Sequence, residues 1–305
     1  MAEGALGEPQ RAQPARPTRS GPVRYLTQYP WANVAASGAI LGIATMELTA
    51  PQIVRLTDVK GALRKYPSGH RRSFYARNVP GQFFVKSLHL GGVRLMHDGM
   101  DMIYPSPLNL TFSCGVMAVL FQASAYNMLT ATTLRALGVS QGPPSTKSVL
   151  SRAVGFYKSK IAPGVVWTFL RDCNSVGGGV VLAPPLGKFI NNQMPHPWGR
   201  RPEPHPAVKF SAGLLAGFGC GLATQCFHNA TLTAGRMAEL GEKPNTVSCM
   251  RRLFAEQGHR AIYMNFLHRA GLIALSSAVL NMLGCFRAPG SPVMASLDDD
   301  EDELC

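Results

Sequence analysis

Three stretches of this chain carry no charged residue: Trp31 to Met46, Leu108 to Leu134 and Phe210 to Ala234. A helix needs about 20 predominantly apolar residues to cross a bilayer, and these stretches meet or approach that length. Only 15% of all residues are charged, against roughly 25% in soluble chains. Three more segments, Gln82 to Tyr104, Pro163 to Leu186 and Phe266 to Phe286, are apolar but hold one or more polar groups. Polar groups within a membrane normally face the interior of a bundle, so these segments read as helices lining a wet cavity. The competing reading is a soluble helical core, which seldom runs this far without charge. The expected fold is an all-α membrane protein with six transmembrane helices.

The six segments echo one another. Gly38, Gly115 and Gly213 each open a charge-free segment and are separated by 77 and 98 residues, and Arg94, Arg171 and Arg269 lie in the later segments at the same two separations. Two unrelated anchors sharing one pair of offsets predict three copies of one unit: apolar segment, basic loop, second segment. The units cover approximately 30–107, 108–206 and 207–288 within a bundle spanning 25–288. Gly38 with Gly42, and Gly213 with Gly217, are spaced four apart on one helix face, which lets helices approach closely in lipid. Gly115 is the corresponding position of the second unit.

Charge orients the bundle. Arg55, Lys60, Arg64, Lys65, Arg71, Arg72 and Arg77 crowd the first loop, and Arg135, Lys147, Arg152, Lys158 and Lys160 the second. Arg236, Lys243, Arg251, Arg252 and Arg260 follow in the third. These alternate loops share one face, which the positive-inside rule makes the cytoplasm-equivalent side, or the matrix in an organelle. Such a face suits anionic head groups such as cardiolipin. Nucleic acid is not an expected partner, because the charge is spread over three loops with no binding module to frame it. Residues 1–24 are rich in Pro, Ala, Gly and Arg and read as a disordered tail. Residues 289–305 form an acidic tail with six consecutive acids, Asp298 to Glu303.

No enzyme is expected. No phosphate loop, nucleophile elbow or metal motif is present, so neither cofactor nor metal is implied. The seven cysteines, Cys114, Cys173, Cys220, Cys226, Cys249, Cys285 and Cys305, form no CxxC pair and read as small apolar packing residues. His89, His97 and His268 sit singly in apolar context and read as packing residues too. The sequons at Asn109 and Asn229 fall at or within apolar segments, which argues against glycosylation.

The third unit carries a resemblance. It reads Ser211-Ala-Gly-Leu-Leu-Ala-Gly217, then Thr224-Gln-Cys-Phe-His228, then Leu253-Phe-Ala-Glu-Gln-Gly-His-Arg-Ala-Ile-Tyr263 and Phe266-Leu-His-Arg-Ala270. The second adds Gly115 and Phe169-Leu-Arg-Asp172, and the first Gly38, Gly42 and Pro51. This pattern resembles the mitochondrial carrier family, from about Trp31 to Phe286. The resemblance implies three pseudo-repeats around a threefold axis, short matrix helices, a multi-pass protein of the mitochondrial inner membrane, and termini toward the intermembrane space. It places Arg94, Arg171 and Arg269 near the family's substrate cavity, where guanidinium groups favour a small anionic solute. Pairing with Asp172, Asp98, Asp101 or Glu47 is the structural alternative.

The chain departs from the family at its gate. The family's Pro-x-Asp/Glu-x-x-Lys/Arg signature closes the matrix side with interhelical ion pairs. By the offsets above, its proline falls on Pro51, Met128 and Cys226, its acid on Ile53, Thr130 and His228, and its base on Leu56, Thr133 and Thr231. One proline of three survives, and no acid or base. Alternating access needs two closed states of similar free energy, and here only packing and hydrogen bonds could close the matrix side. The expectation is a carrier-like bundle acting as an accessory subunit of an inner-membrane assembly, such as a respiratory or ATP-synthase complex. The tails and a proline-rich loop, Pro184 to Pro206, would supply its contacts. The alternative is an atypical transporter of a small anionic metabolite, and a third reading is membrane-protein insertion or membrane shaping.

Overall fold

The computed structural model describes residues 30–56, 71–139, 162–195 and 204–284. The two tails and most of the first two basic loops lie outside the described residues. Among the described residues the fold is all-helical, with no strand. Helix α1 spans Pro30–Leu56 and α2 spans Arg71–Ile103. A rod follows, made of α3 (Pro107–Met117), a π-helical turn (Ala118–Gln122) and α4 (Ala123–Ala136). The next rod is α5 (Val165–Asp172), a second π-helical turn (Cys173–Gly177) and α6 (Gly178–Gln193). Helices α7 (Pro206–Ala223) and α8 (Gln225–Glu239) form a rod broken at Thr224, where φ is −103° and ψ 9°. Helix α9 (Thr246–Gln257), a 3₁₀ turn (Gly258–Ile262) and α10 (Phe266–Met282) complete the chain.

Local chemistry sets the boundaries. Ser106 caps α3 by accepting from Leu108 N–H at 3.2 Å, with Pro107 in the first turn, where its missing N–H costs nothing. Asn245 and Ser248 form a reciprocal capping box on α9, satisfying two of the donors a helix start leaves open. Helix α8 ends where Gly241 turns left-handed at φ 81° and Glu242 N–H reaches back to Met237 C=O at 3.0 Å. Only glycine enters that region without a Cβ penalty.

The stretch expected as a proline-rich loop is different in part. Pro184 and Pro185 lie inside α6, which continues to Gln193. Proline removes two ladder hydrogen bonds there. The helix persists because it is clamped by tertiary contact, with α6 packed along α7. Helix α2 begins at Arg71, well before the expected Gln82.

Among the described residues, three helical stretches are long and apolar enough to cross a membrane: Ala32–Leu56, Pro107–Ala136 and Pro206–Ala223, with mean hydropathy 1.3, 1.4 and 1.3. The rods pack in chain order. Helix α1 lies on α2, α2 on α3, α3 on α5 and the second π turn, α6 on α7, α7 on α10, and α10 returns to α1. At one end α1, α4 and α8 also meet one another. Among the described residues, two large apolar clusters and a small one of Ala234, Met237 and Cys249 pack the interior. One large cluster joins Val34, Leu41, Leu90, Leu110, Val180 and Leu280 toward the end where α1 starts. The other large cluster joins Ile53, Leu56, Tyr126, Leu129, Leu232 and Leu253 at the basic-loop end.

Glycines set the closest approaches. A Cβ on Gly213 would fall 2.5 Å from Ser277 O, and one on Gly217 2.6 Å from Ile273 O, both on the α10 backbone. Gly38 and Gly42 bring α1 somewhat less closely onto α2, with a Cβ 3.0 Å from Ser87 N and 3.1 Å from Phe83 N. Gly115 faces Cys173 Sγ and the Phe169 ring, at 2.3 and 2.8 Å from a built Cβ. A backbone cannot yield as a flexible side chain does, so Gly213→Ala is expected to destabilise the detergent-solubilised protein by about 1–3 kcal/mol. Gly219→Ala on the same helix meets nothing within 4 Å and should be neutral or stabilising, because alanine is the better helix former. Thermal midpoints of the two variants check this, and equal losses would contradict it.

Candidate functional site

A layer of polar side chains lies between the two apolar clusters. Helix α2 contributes Lys86 and His89, one turn apart and buried. The first π turn supplies Gln122 and α4 supplies Tyr126. Helix α5 ends in Arg171 and Asp172, the break in the α7–α8 rod brings Thr224, and α8 brings His228. Helix α10 adds Arg269 and α1 adds Gln52. Arg171 and Arg269 are both 0% exposed. The irregular backbone helps: a π turn widens the helix by one residue and changes which side chains face inward, as often occurs at functional sites.

Lys86 Nζ donates to Gln122 Oε1 at 2.5 Å, and Gln122 Nε2 lies 3.1 Å from the His89 ring nitrogens. Arg171 grips its own neighbour, with Nε to Asp172 Oδ1 at 3.1 Å and Nη2 to Oδ2 at 2.5 Å. The Arg171 guanidinium also lies 4.5 Å from the Tyr126 ring centroid, and Lys86 Nζ lies 5.2 Å from that centroid. Each such contact contributes about 0.5–2 kcal/mol when desolvated. His228 meets Tyr126 edge to face at 5.8 Å and donates from Nε2 to Gln52 Oε1 at 2.6 Å. Arg269 Nη2 donates to Thr224 Oγ1 at 3.1 Å. Its Nε and Nη1, and Nη1 of Arg171, find no acceptor among the described residues.

The layer therefore holds three buried cations, Lys86, Arg171 and Arg269, against one carboxylate, Asp172. A cavity of about 20 Å³ opens within it, reaching Lys86, His89, Gln122, Tyr126 and Asp172. That volume suits one or two waters.

Of the three arginines expected in a cavity, the structure brings together two. Arg94 lies about two turns beyond Lys86, 3.6 Å from Asp98. Lys86 takes the place expected for it. His97 sits beside Asp98 and Asp101 at 3.3 Å each, apart from the layer. Among the described residues, no group of His, Cys, Asp or Glu could hold a metal ion.

Most of the gate positions are apolar or bonded within their own helix. Ile53 and Leu56 join the apolar cluster. Thr130 Oγ1 donates to Tyr126 O at 2.8 Å, and Thr231 Oγ1 to Phe227 O at 3.0 Å. Thr133 is buried, Pro51 lies inside α1, and Cys226 lies against Met250 Sδ at 3.7 Å. His228 belongs to the polar layer. Met128 is 47% exposed and faces outward. Its neighbour Asn127 faces inward and donates to Pro163 O at 3.2 Å, while Asn229 of α8 donates to Ala261 O at 2.9 Å. These two buried asparagines tie α4 and α8 to the chain re-entering after each loop. Asn229, at 0% exposure, is no glycan acceptor in this fold.

Charge pairs do occur at this end, but farther out. Arg236 donates to Leu56 C=O and to the Glu256 carboxylate, and Arg252 joins Glu256 at 2.7 Å while also binding Glu242. Arg135 lies 3.8 Å from Glu239. Burial alone would raise the Glu256 carboxyl, but hydrogen bonds from Arg252 and Arg236 hold it below the usual carboxylate range. A depressed carboxylate stabilises fully above its unfolded value of about 4.3 and loses that contribution as pH falls through the folded value. Acidification below about pH 4 should therefore loosen α9, and Glu256→Gln should loosen it at neutral pH. Amide exchange on Thr246–Gln257 reads both, and unchanged protection in Glu256→Gln would refute the clasp.

Compared with known proteins, the chain matches no family model, no curated protein and no solved structure.

Proposed function

We propose that this chain is a carrier-like bundle of six spans in three pseudo-repeats, set in the mitochondrial inner membrane, and that it serves as an accessory subunit of an inner-membrane complex. The helices beyond the three most apolar ones carry outward rows suited to lipid. Helix α2 exposes Phe84, Leu88, Leu95 and Met102, and α6 exposes Leu182 and Phe189. These spacings keep each row on one helix face. Arg55, Arg135, Arg236 and the basic residues of α9 gather at one end, which favours that end as the matrix side and suits cardiolipin head groups.

The observation that carries the accessory reading is a filled interior. Among the described residues, apolar clusters lie on both sides of the polar layer, and the cavity they leave there, about 20 Å³, is far below the roughly 300–1,000 Å³ of small-molecule sites. Among the described residues no ion pair joins the signature positions, which are held by packing and by hydrogen bonds such as His228 to Gln52. Native electrophoresis of mildly solubilised mitochondria, with mass spectrometry of the band, tests this. Comigration with a respiratory or ATP-synthase complex is expected, and migration alone near 32.8 kDa would overturn it.

One observation favours the second reading, binding or transport of a small anion. Three buried cations facing one carboxylate leave positive charge that an anionic ligand would neutralise. Uptake of dicarboxylates, tricarboxylates or nucleotides into liposomes would support transport, and its absence with all three would oppose it.

A further inference from the structure

The seams between rods are unequal. Helix α10 is welded to α7, where Gly213, Gly217 and Gly221 bring built Cβ atoms within 2.5–2.8 Å of the α10 backbone. Helix α1 is joined to α2 in the same manner through Gly38 and Gly42. The α1–α10 seam is the slightest between consecutive rods. It is stitched at its ends, by Asn33 Nδ2 donating to Leu283 O at 3.0 Å and by Asn265 Nδ2 donating to Gln52 O at 3.4 Å.

The cavity lies directly behind this seam. Leu41 and Thr45 of α1 and Ile273 and Ser276 of α10 form its near wall, and Lys86 stands at its far side. Thr45 Oγ1, buried there, has no hydrogen-bond partner among the described residues. Apolar clusters lie on either axial side of the polar layer among the described residues. The seam of least contact, α1–α10, is also one whose two helices both line the cavity.

We propose that the bundle parts between α1 and α10 and admits, from the membrane, the head of a single-chain amphiphilic anion. The ligand is a long-chain carboxylate or alkyl phosphate. Its head pairs with Lys86 and the free N–H groups of Arg269, and its tail stays between Leu41 and Leu280 or in the surrounding lipid. Hydrophilic anions have no such path. The inference rests on the anion reading of the layer and names its ligand class.

The test uses the full chain in nanodiscs with a diazirine-bearing palmitate. Photolabel is expected on α1 and α10 peptides, displaced by palmitate or hexadecyl phosphate but not by acetate or inorganic phosphate. The variant Lys86→Met/Arg269→Met should label at least tenfold less, and Lys86→Arg, which keeps the charge, should label normally. Oxidising Asn33→Cys/Leu283→Cys across the seam should suppress labelling, and reduction should restore it. Labelling of outward faces such as Phe84 and Leu215, indifferent to the seam bridge, would overturn the proposal. So would displacement by acetate as effective as by palmitate, which would instead support an axial route for small anions. Comigration with a host complex together with absent labelling would overturn this inference and leave the accessory reading standing.

Discussion

Asp172→Asn is expected to destabilise the protein by about 3–5 kcal/mol, the usual cost of removing one partner from a buried charge pair. Among the described residues Asp172 is the only carboxylate in a layer holding Lys86, Arg171 and Arg269, and it accepts two hydrogen bonds from Arg171. The amide is nearly isosteric, so packing changes little and the effect isolates charge. Arg171 would keep the Tyr126 face at 4.5 Å, but a quadrupole offsets only part of a full charge. Chemical unfolding in detergent, followed by circular dichroism, measures the loss. The double variant Asp172→Asn/Arg171→Met should recover much of it, because the stranded charge is gone. A loss under 1 kcal/mol in the single variant would mean that water or a bound anion already compensates the layer.

How far the sequence discloses this layer depends on backbone regularity. The charge-free runs identify α1, the α3–α4 rod and α7 because hydrophobic length is a property of composition alone. Gly38, Gly42, Gly213 and Gly217 were readable because their spacing of four is a feature of any helix face. Arg171 and Arg269 stand out as cations in apolar segments. Fixed offsets fail beyond the irregular turns. The π turn at Ala118–Gln122 adds a residue, so a register carried forward from Gly115 falls one position short. It selects exposed Met128 where the next residue, Leu129, is fully buried. The break at Thr224 disturbs the third unit in the same way, and Asn229 rather than Cys226 ties that helix to the returning chain. Lys86 and Arg94 both occupy α2, and only the packing against Gln122 and Tyr126 decides which is inside. Gln52 and Gln122 carry no charge or pattern to mark them.

The opposite sign is expected at Arg269. Arg269→Met should stabilise the ligand-free protein by about 1–4 kcal/mol, the range seen when buried ions are replaced by apolar groups of similar volume. The guanidinium has one hydrogen bond, to Thr224 Oγ1, and leaves two nitrogens without an acceptor. Its loss orphans nothing, since Thr224 Oγ1 still donates to Cys220 O at 2.8 Å. Methionine is flexible enough to fill the vacated volume. On the proposed reading, a group so costly to bury, in a layer already short of negative charge, is there for what it binds rather than for what it stabilises. Adding palmitate should therefore reverse the order of thermal midpoints, raising that of the parent protein above that of Arg269→Met, since a ligand stabilises only the form that binds it. If Arg269→Met is instead less stable without any ligand, the guanidinium is satisfied by internal water and the layer is a structural one.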